Sequence, residues 1–180
     1  MPPELQGRFE AIERQRADLE SFALLLPDAQ VNWTPGASVW SVGQIVHHLV
    51  LSDETVGRAQ DLEAVNAEAP LFRILPRAWR RALVLMAFNR NVILPLPSPA
   101  VEPRGDVPLS KLLSRWARAR REMRRVLDTL PGDETRYSHP VLGPLTAAQM
   151  LELGQTHTAY HTRQIEALQR DPAFPRRAEA

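Results

Sequence analysis

Two histidines four residues apart, His157 and His161, are the part of this 180-residue chain best suited to chemistry. They lie in the stretch Gly154-Gln155-Thr156-His157-Thr158-Ala159-Tyr160-His161-Thr162-Arg163-Gln164-Ile165. A spacing of four on a helix puts both imidazoles on one face, about one turn apart, so both rings can reach one ion. Met150, Leu153 and Leu168 continue the same stripe, which points the face inward. A buried imidazole without a partner is costly. Two of them on one inward stripe call for a shared polar partner, and a metal ion supplies one. The plainer alternative is a pair of half-buried histidines bonded to carbonyls or water.

A second element can add a third ligand. His47 and His48 follow Ser41 by about two turns. Adjacent residues point about 100° apart on a helix, so only one of them can share the inner face with Ile45 and Leu49. Periodicity leaves both candidates open, with His48 the better fit, three residues after Ile45 and four before Ser52. Three neutral imidazoles without a fourth protein ligand make an open site. Zinc is the default ion for such a set, and imidazole also suits nickel and iron. An open site can generate hydroxide near neutral pH or hold a thiolate. The chain has no cysteine, which excludes disulfides, thiolate ligands from the chain and a cysteine nucleophile. Any thiol in its chemistry must come from outside.

Other residues could assist. His139 can sit at the site mouth as a proton donor, or simply pack its loop beside Pro140. Gln164 can hydrogen-bond near the metal or face solvent. Gln44 is explained by a capping role. Asp53, five residues after His48, is rotated off the histidine face, which favours a solvated carboxylate over a fourth ligand. Tyr160 can contact a pocket or a partner, with packing the simpler account. Arg115, Arg118, Arg120, Arg121, Arg124 and Arg125 form a run in which Arg118, Arg121 and Arg125 can share a face. Such runs are usually solvated, although this one could anchor an anionic cosubstrate.

These groups must be positioned by helices. Leu5, Phe9, Ile12, Leu19, Phe22 and Leu26 predict a first helix from about Glu4 to Leu26, stopped by Pro27-Asp28. A second begins at Ser41, where Ser41 and Gln44 have the capping-box spacing, and continues towards Ala67. Arg77 to Asn89 can form a short helix containing Trp79, Leu83 and Met86. Pro95, Pro97, Pro99, Pro103 and Pro108 follow and block both helix and central strand. The stretch from about Leu94 to Val107 is therefore expected to be an ordered loop crossing the bundle. A third long helix spans about Ser110 to Leu130, ended by Pro131-Gly132-Asp133. Arg136 to Pro144 is expected to be a short connector. The last helix runs from Thr146 to about Gln169, with Thr146 and Gln149 at capping-box spacing. The expected fold is all-α, one four-helix-bundle domain over residues 1–180.

The composition sets limits on function. Hydrophobic residues make up 44% and charged residues 24%, as in an ordinary globular protein. The formal charge of +1 gives no global field for nucleic acid or an anionic membrane. Lys111 is the single lysine, an arginine bias spread over the chain. The N-terminus lacks the pattern of a secretory signal, and the apolar runs are too short to span a bilayer. A cytoplasmic protein is expected.

The motifs together resemble a known family. Trp40-Ser41-Val42-Gly43-Gln44-Ile45-Val46-His47-His48-Leu49 resembles the second-helix signature of the DinB-like (damage-inducible) superfamily. His157 to Ile165 is similar to that family's last-helix signature, and His139-Pro140-Val141-Leu142-Gly143-Pro144-Leu145-Thr146 to its lead-in. The resemblance covers nearly the whole chain. It implies an up-down-down-up bundle, frequent homodimers and a metal that varies among members. It also implies that the second-helix ligand is His48, eight residues after Trp40, with His157 and His161 completing the set. Family members of known activity include transferases and isomerases that use bacillithiol, mycothiol or glutathione. The resemblance thus suggests transfer of a low-molecular-weight thiol to a small electrophile. The alternatives are hydrolysis at the same three histidines, or a non-catalytic stress-response protein that binds metal and a partner.

Overall fold

The computed structural model of the chain describes residues 1–58, 76–92, 94, 98–105, 107–133, 135–139 and 141–176. In chain order it contains α1 (Pro3–Leu24), α2 (Asp28–Val31), α3 (Val42–Arg58), α4 (Arg77–Asn89), a 3-10 turn (Pro99–Val101) and α5 (Leu109–Asp128). A hairpin of β1 (Thr135–His139) and β2 (Gly143–Thr146) then leads into α6 (Ala147–Arg170). The four long helices and the short helix α4 stand where apolar periodicity places them. The expected extension of α3 towards Ala67 lies outside the described residues, as do Pro95, Pro97 and Pro140.

Two apolar clusters show how the helices run. One holds Leu5, Phe9 and Ile12 from the start of α1, Met123 and Leu127 from the end of α5, and Met150 and Leu151 from the start of α6, with Val56 of α3 against them. The other holds Leu19 from later in α1, Val42 to Val50 from the start of α3, Leu112 and Trp116 from the start of α5, and Ile165 and Leu168 from later in α6. α1 and α6 therefore run one way and α3 and α5 the other, which is the up-down-down-up order. An ion pair between the Met1 amino group and Asp128 at 3.2 Å joins the start of α1 to the end of α5. The closest helix pairs are α1 with α6 and α3 with α5. The α3–α6 and α1–α5 sides are more open. Because α3 and α5 are parallel, the chain between them must return along the bundle. Among the described residues, α4 and the turn at Pro99–Val101 lie on that return.

Both capping boxes form. The Gln44 amide accepts a hydrogen bond from Ser41 on the carboxamide side as Gln44 oxygen Oε1 meets the Ser41 backbone N–H at 3.0 Å, and the Gln44 N–H donates to Ser41 Oγ at 3.2 Å. Thr146 and Gln149 repeat this at 3.1 and 3.2 Å. Each box satisfies helix-end amides that have no partner within the helix.

Two local elements differ from the sequence expectation. Arg136 to Pro144 was expected to be a plain connector ahead of the last helix, but β1 and β2 pair as an antiparallel hairpin there, with Tyr137 opposite Leu145 and His139 opposite Gly143. Tyr137, Leu142 and Leu145 bury their side chains in the first cluster, and that tertiary burial stabilises strands too short to announce themselves. Gly143 sits at φ 74°, where a side chain would be strained. In the loop after Pro27, the single turn α2 is held by the far end of the chain. Gln30 Nε2 donates to the Pro175 carbonyl at 2.6 Å, and Trp33 meets the edge of Phe174 at 5.3 Å between ring centres. No helix among the described residues is long and apolar enough to cross a membrane.

Candidate metal centre

His48 comes from the middle of α3, and His157 and His161 come from successive turns of α6. The three meet on the α3–α6 side of the bundle. His48 Nε2 lies 3.1 Å from His157 Nε2, and His161 Nε2 lies 3.0 Å from the same atom. One nitrogen from each ring falls within 4.8 Å of the others. His47, on the neighbouring face of α3, is buried but does not join them.

The far nitrogens decide which way the lone pairs point. His48 Nδ1 is 2.7 Å from the carbonyl oxygen of Val101. His161 Nδ1 is 2.7 Å from Gln164 Oε1. Each oxygen can only accept, so each Nδ1 carries the proton and each Nε2 presents a lone pair. Both lone pairs converge on His157 Nε2, which has at most one proton to give. At least one of the two short nitrogen–nitrogen contacts therefore sets lone pair against lone pair. A cation among the three nitrogens resolves that conflict, so the donor set fits a divalent metal. Oxygen partners on the far ring nitrogens are also what fix the tautomer and orientation of metal-binding histidines.

The electrostatics agree. Burial lowers the pKa of His48, the Val101 carbonyl partly opposing it. Burial, helped by the neighbouring His161, His48 and His139, holds His157 well below its ordinary value. Burial and His48 bring His161 down to about 3, against the opposing effect of Gln164. Neutral imidazole is the form that binds a metal, and all three are neutral at physiological pH.

Aromatic rings wall the site. Trp40 packs on His48 at 4.9 Å and on His161 at 6.3 Å between ring centres. Phe88 of α4 lies 5.2 Å from His157 and stacks on Tyr160 at 5.0 Å. Arg163 holds Phe88 there. Its Nη2 donates to the Phe88 carbonyl at 2.6 Å and its Nε to Asn91 Oδ1 at 3.3 Å, tying the end of α4 to α6.

The sequence profile of the DinB superfamily matches residues 11–165, most of the chain and all three histidines. The chain belongs to the DinB superfamily. No curated protein and no solved structure matches it.

Other residues singled out in this DinB superfamily sequence take definite places. His139 ends β1, close enough to His157 for a charge on one to be felt by the other. Its Nδ1 accepts the backbone amides of Val141 at 3.1 Å and Leu142 at 3.2 Å, which leaves Nε2 as its N–H. Burial lowers its pKa to about 4. Gln164 faces the site, not solvent. Tyr160 packs within the aromatic wall, and Gln44 serves its cap.

Asp53 differs from expectation, being neither solvated nor near the histidines. The rotation that takes it off the histidine face turns it into the α3–α5 interface. There it is buried, and its Oδ2 accepts hydrogen bonds from Trp116 Nε1 and from Arg120 Nε at 2.7 Å. Arg120 is correspondingly buried, unlike the exposed arginines around it. Val101 and Phe88 were not anticipated at the site. Val101 acts through its backbone carbonyl, which no side-chain pattern reports. Phe88 lies on a helix whose more conspicuous apolar residues, Trp79, Leu83 and Met86, face outward.

Proposed function

We propose that this DinB superfamily protein is a metal-dependent enzyme that transfers a low-molecular-weight thiol of the bacillithiol, mycothiol or glutathione type to a small electrophile. His48, His157 and His161 would hold the ion. The observation that carries this reading is the convergence of their three Nε2 atoms, with two of the rings oriented by oxygen partners. Zinc is the ion we favour, with nickel and iron as alternatives. A divalent cation there supplies Lewis acidity, which favours the deprotonated form of a thiol. The chain lacks cysteine, so the thiol is a cosubstrate.

The protein's own residues have separate tasks in this reading. Gln164 and the Val101 carbonyl keep two rings in the binding tautomer. Trp40 and Phe88 keep bulk water from the histidine face and offer apolar walls to a small substrate. His139, neutral and with Nε2–H as its donor, hydrogen-bonds the electrophile as charge develops on it. A cytoplasmic setting, where small thiols stay reduced, suits this chemistry. We further propose a homodimer joined through the outward side of α4, where Trp79 is 65% exposed beside Leu83 and Met86. Sedimentation would detect it, and Trp79→Glu with Met86→Glu should give a monomer. A wild-type monomer at every concentration would remove that part.

The test of the function begins with metal analysis. Purified protein should carry about one divalent ion per chain, and His161→Ala should lose it. Full metal retention by that variant would overturn the site. Metal-loaded protein is then mixed with each thiol and a test electrophile. Thiol-dependent turnover supports transfer. Turnover without thiol would replace it by hydrolysis, and no turnover with either would favour a non-catalytic metal-binding role.

A further inference from the structure

On the opposite side of the bundle from the histidines, α1 and α5 are separated by a cleft of about 390 Å³. Four arginines line it: Arg14 from α1, and Arg120, Arg121 and Arg124 from α5. Only two carboxylates, Glu10 and Glu13, share it. The lining therefore carries a formal charge of +2, taking four positive against two negative groups.

The carboxylates are already engaged. Glu13 pairs with Arg16 through Nε at 3.4 Å, and its approach to Arg120 is long, at 3.8 Å. Glu10 accepts a hydrogen bond from Gln6 at 3.0 Å. The cations are less satisfied. Arg14 and Arg121 have no ion-pair partner among the described residues, and Arg124 reaches Asp128 only at 3.9 Å. Its guanidinium lies over the Phe9 ring at 5.9 Å, which holds it at the cleft wall.

Arg120 makes this a built site and not merely a charged surface. Its side chain is 3% exposed, anchored by Nε to Asp53 at 2.7 Å. Its Nη1 is buried with no hydrogen-bond partner among the described residues. A buried guanidinium N–H without an acceptor is unfavourable, and charged donors are the costliest to leave so. An acceptor in the cleft would satisfy it.

We propose that the α1–α5 cleft binds a phosphate-type dianion of a small molecule. Such a group carries about −1.5 to −2 at pH 7, opposite in sign to the lining, and three or four acceptor oxygens. Guanidinium forks suit those oxygens geometrically. Arg120 is the preset donor at the base, and Arg14, Arg121 and Arg124 close on the ligand from the rim. The cleft is separate from the histidine cluster and does not depend on any reading of it.

Inorganic phosphate, titrated into the metal-loaded protein and followed by amide chemical shifts, tests this. Sodium chloride at matched ionic strength is the control. Saturable shifts should appear around residues 10–14 and 120–124, absent with chloride. Arg121→Gln combined with Arg124→Gln, both exposed positions, should weaken that binding about tenfold. His161→Ala should leave it unchanged. The proposal is overturned by shifts that chloride reproduces, by undiminished binding in the arginine variant, or by phosphate shifts confined to the histidine site and lost with His161→Ala.

Discussion

Two rings of the histidine cluster, His48 and His161, are set by oxygen atoms outside it. Gln164 is the clearest case, since its Oε1 orders His161 from one turn further along α6. Gln164→Leu should weaken metal affinity about 10- to 100-fold while leaving the fold intact. Competition against a chelating dye would measure it, and unchanged affinity would show that His161 is oriented by packing alone. Asp53 supports the buried Arg120 in the same manner. Removing it leaves a buried cation without its partner, so Asp53→Ala should cost about 3–5 kcal/mol in urea unfolding. A loss below about 1 kcal/mol would mean that Arg120 finds another acceptor or reaches water.

The elements owe their limits to a few side chains. The Thr146 cap begins α6 eleven residues before His157, so it sets the helix start but not the site geometry. Thr146→Ala should lower stability by about 1 kcal/mol and leave bound metal unchanged, as read by thermal unfolding and metal analysis together. Long helices were legible because their apolar stripes repeat over many turns, and both caps because they are local. The hairpin was not, because Tyr137 and Leu145 become partners only through contact with the first cluster. The 3-10 turn at Pro99–Val101 was hidden in a run of prolines that excludes regular structure without specifying what replaces it.

Across the molecule, several histidines are buried neutral, and this couples folding to acid. Burial holds His139 at about 4 and His161 at about 3, both below the ordinary 6.5. The unfolded chain therefore binds protons that the folded chain refuses. The associated stability is present above pH 6.5 and is lost progressively as pH falls from there towards the folded values. Metal-free protein should be less resistant to urea at pH 5 than at pH 7.5, and His161→Ala should reduce that difference. A flat profile over this interval would mean that the rings are hydrated in solution. The opposed sides of the bundle also hold different chemistry, with three neutral imidazoles on the α3–α6 side and a cationic cleft on the α1–α5 side.

Sequence alone determined the helical class, the pairing of His157 with His161 on one face, and the absence of a thiol. These depend on residue type and on the 3.6-residue period, both local properties. It narrowed the third ligand to His47 or His48, and the family resemblance pointed to His48. Tertiary structure decided what lies against these residues. It turned Asp53 into the α3–α5 interface, brought the Val101 carbonyl to His48 across 53 positions, and set Phe88 over His157. Such contacts come from how elements cross in space. The three histidines that a pattern could nominate became a candidate metal centre only when packing brought one ring nitrogen from each to the same place.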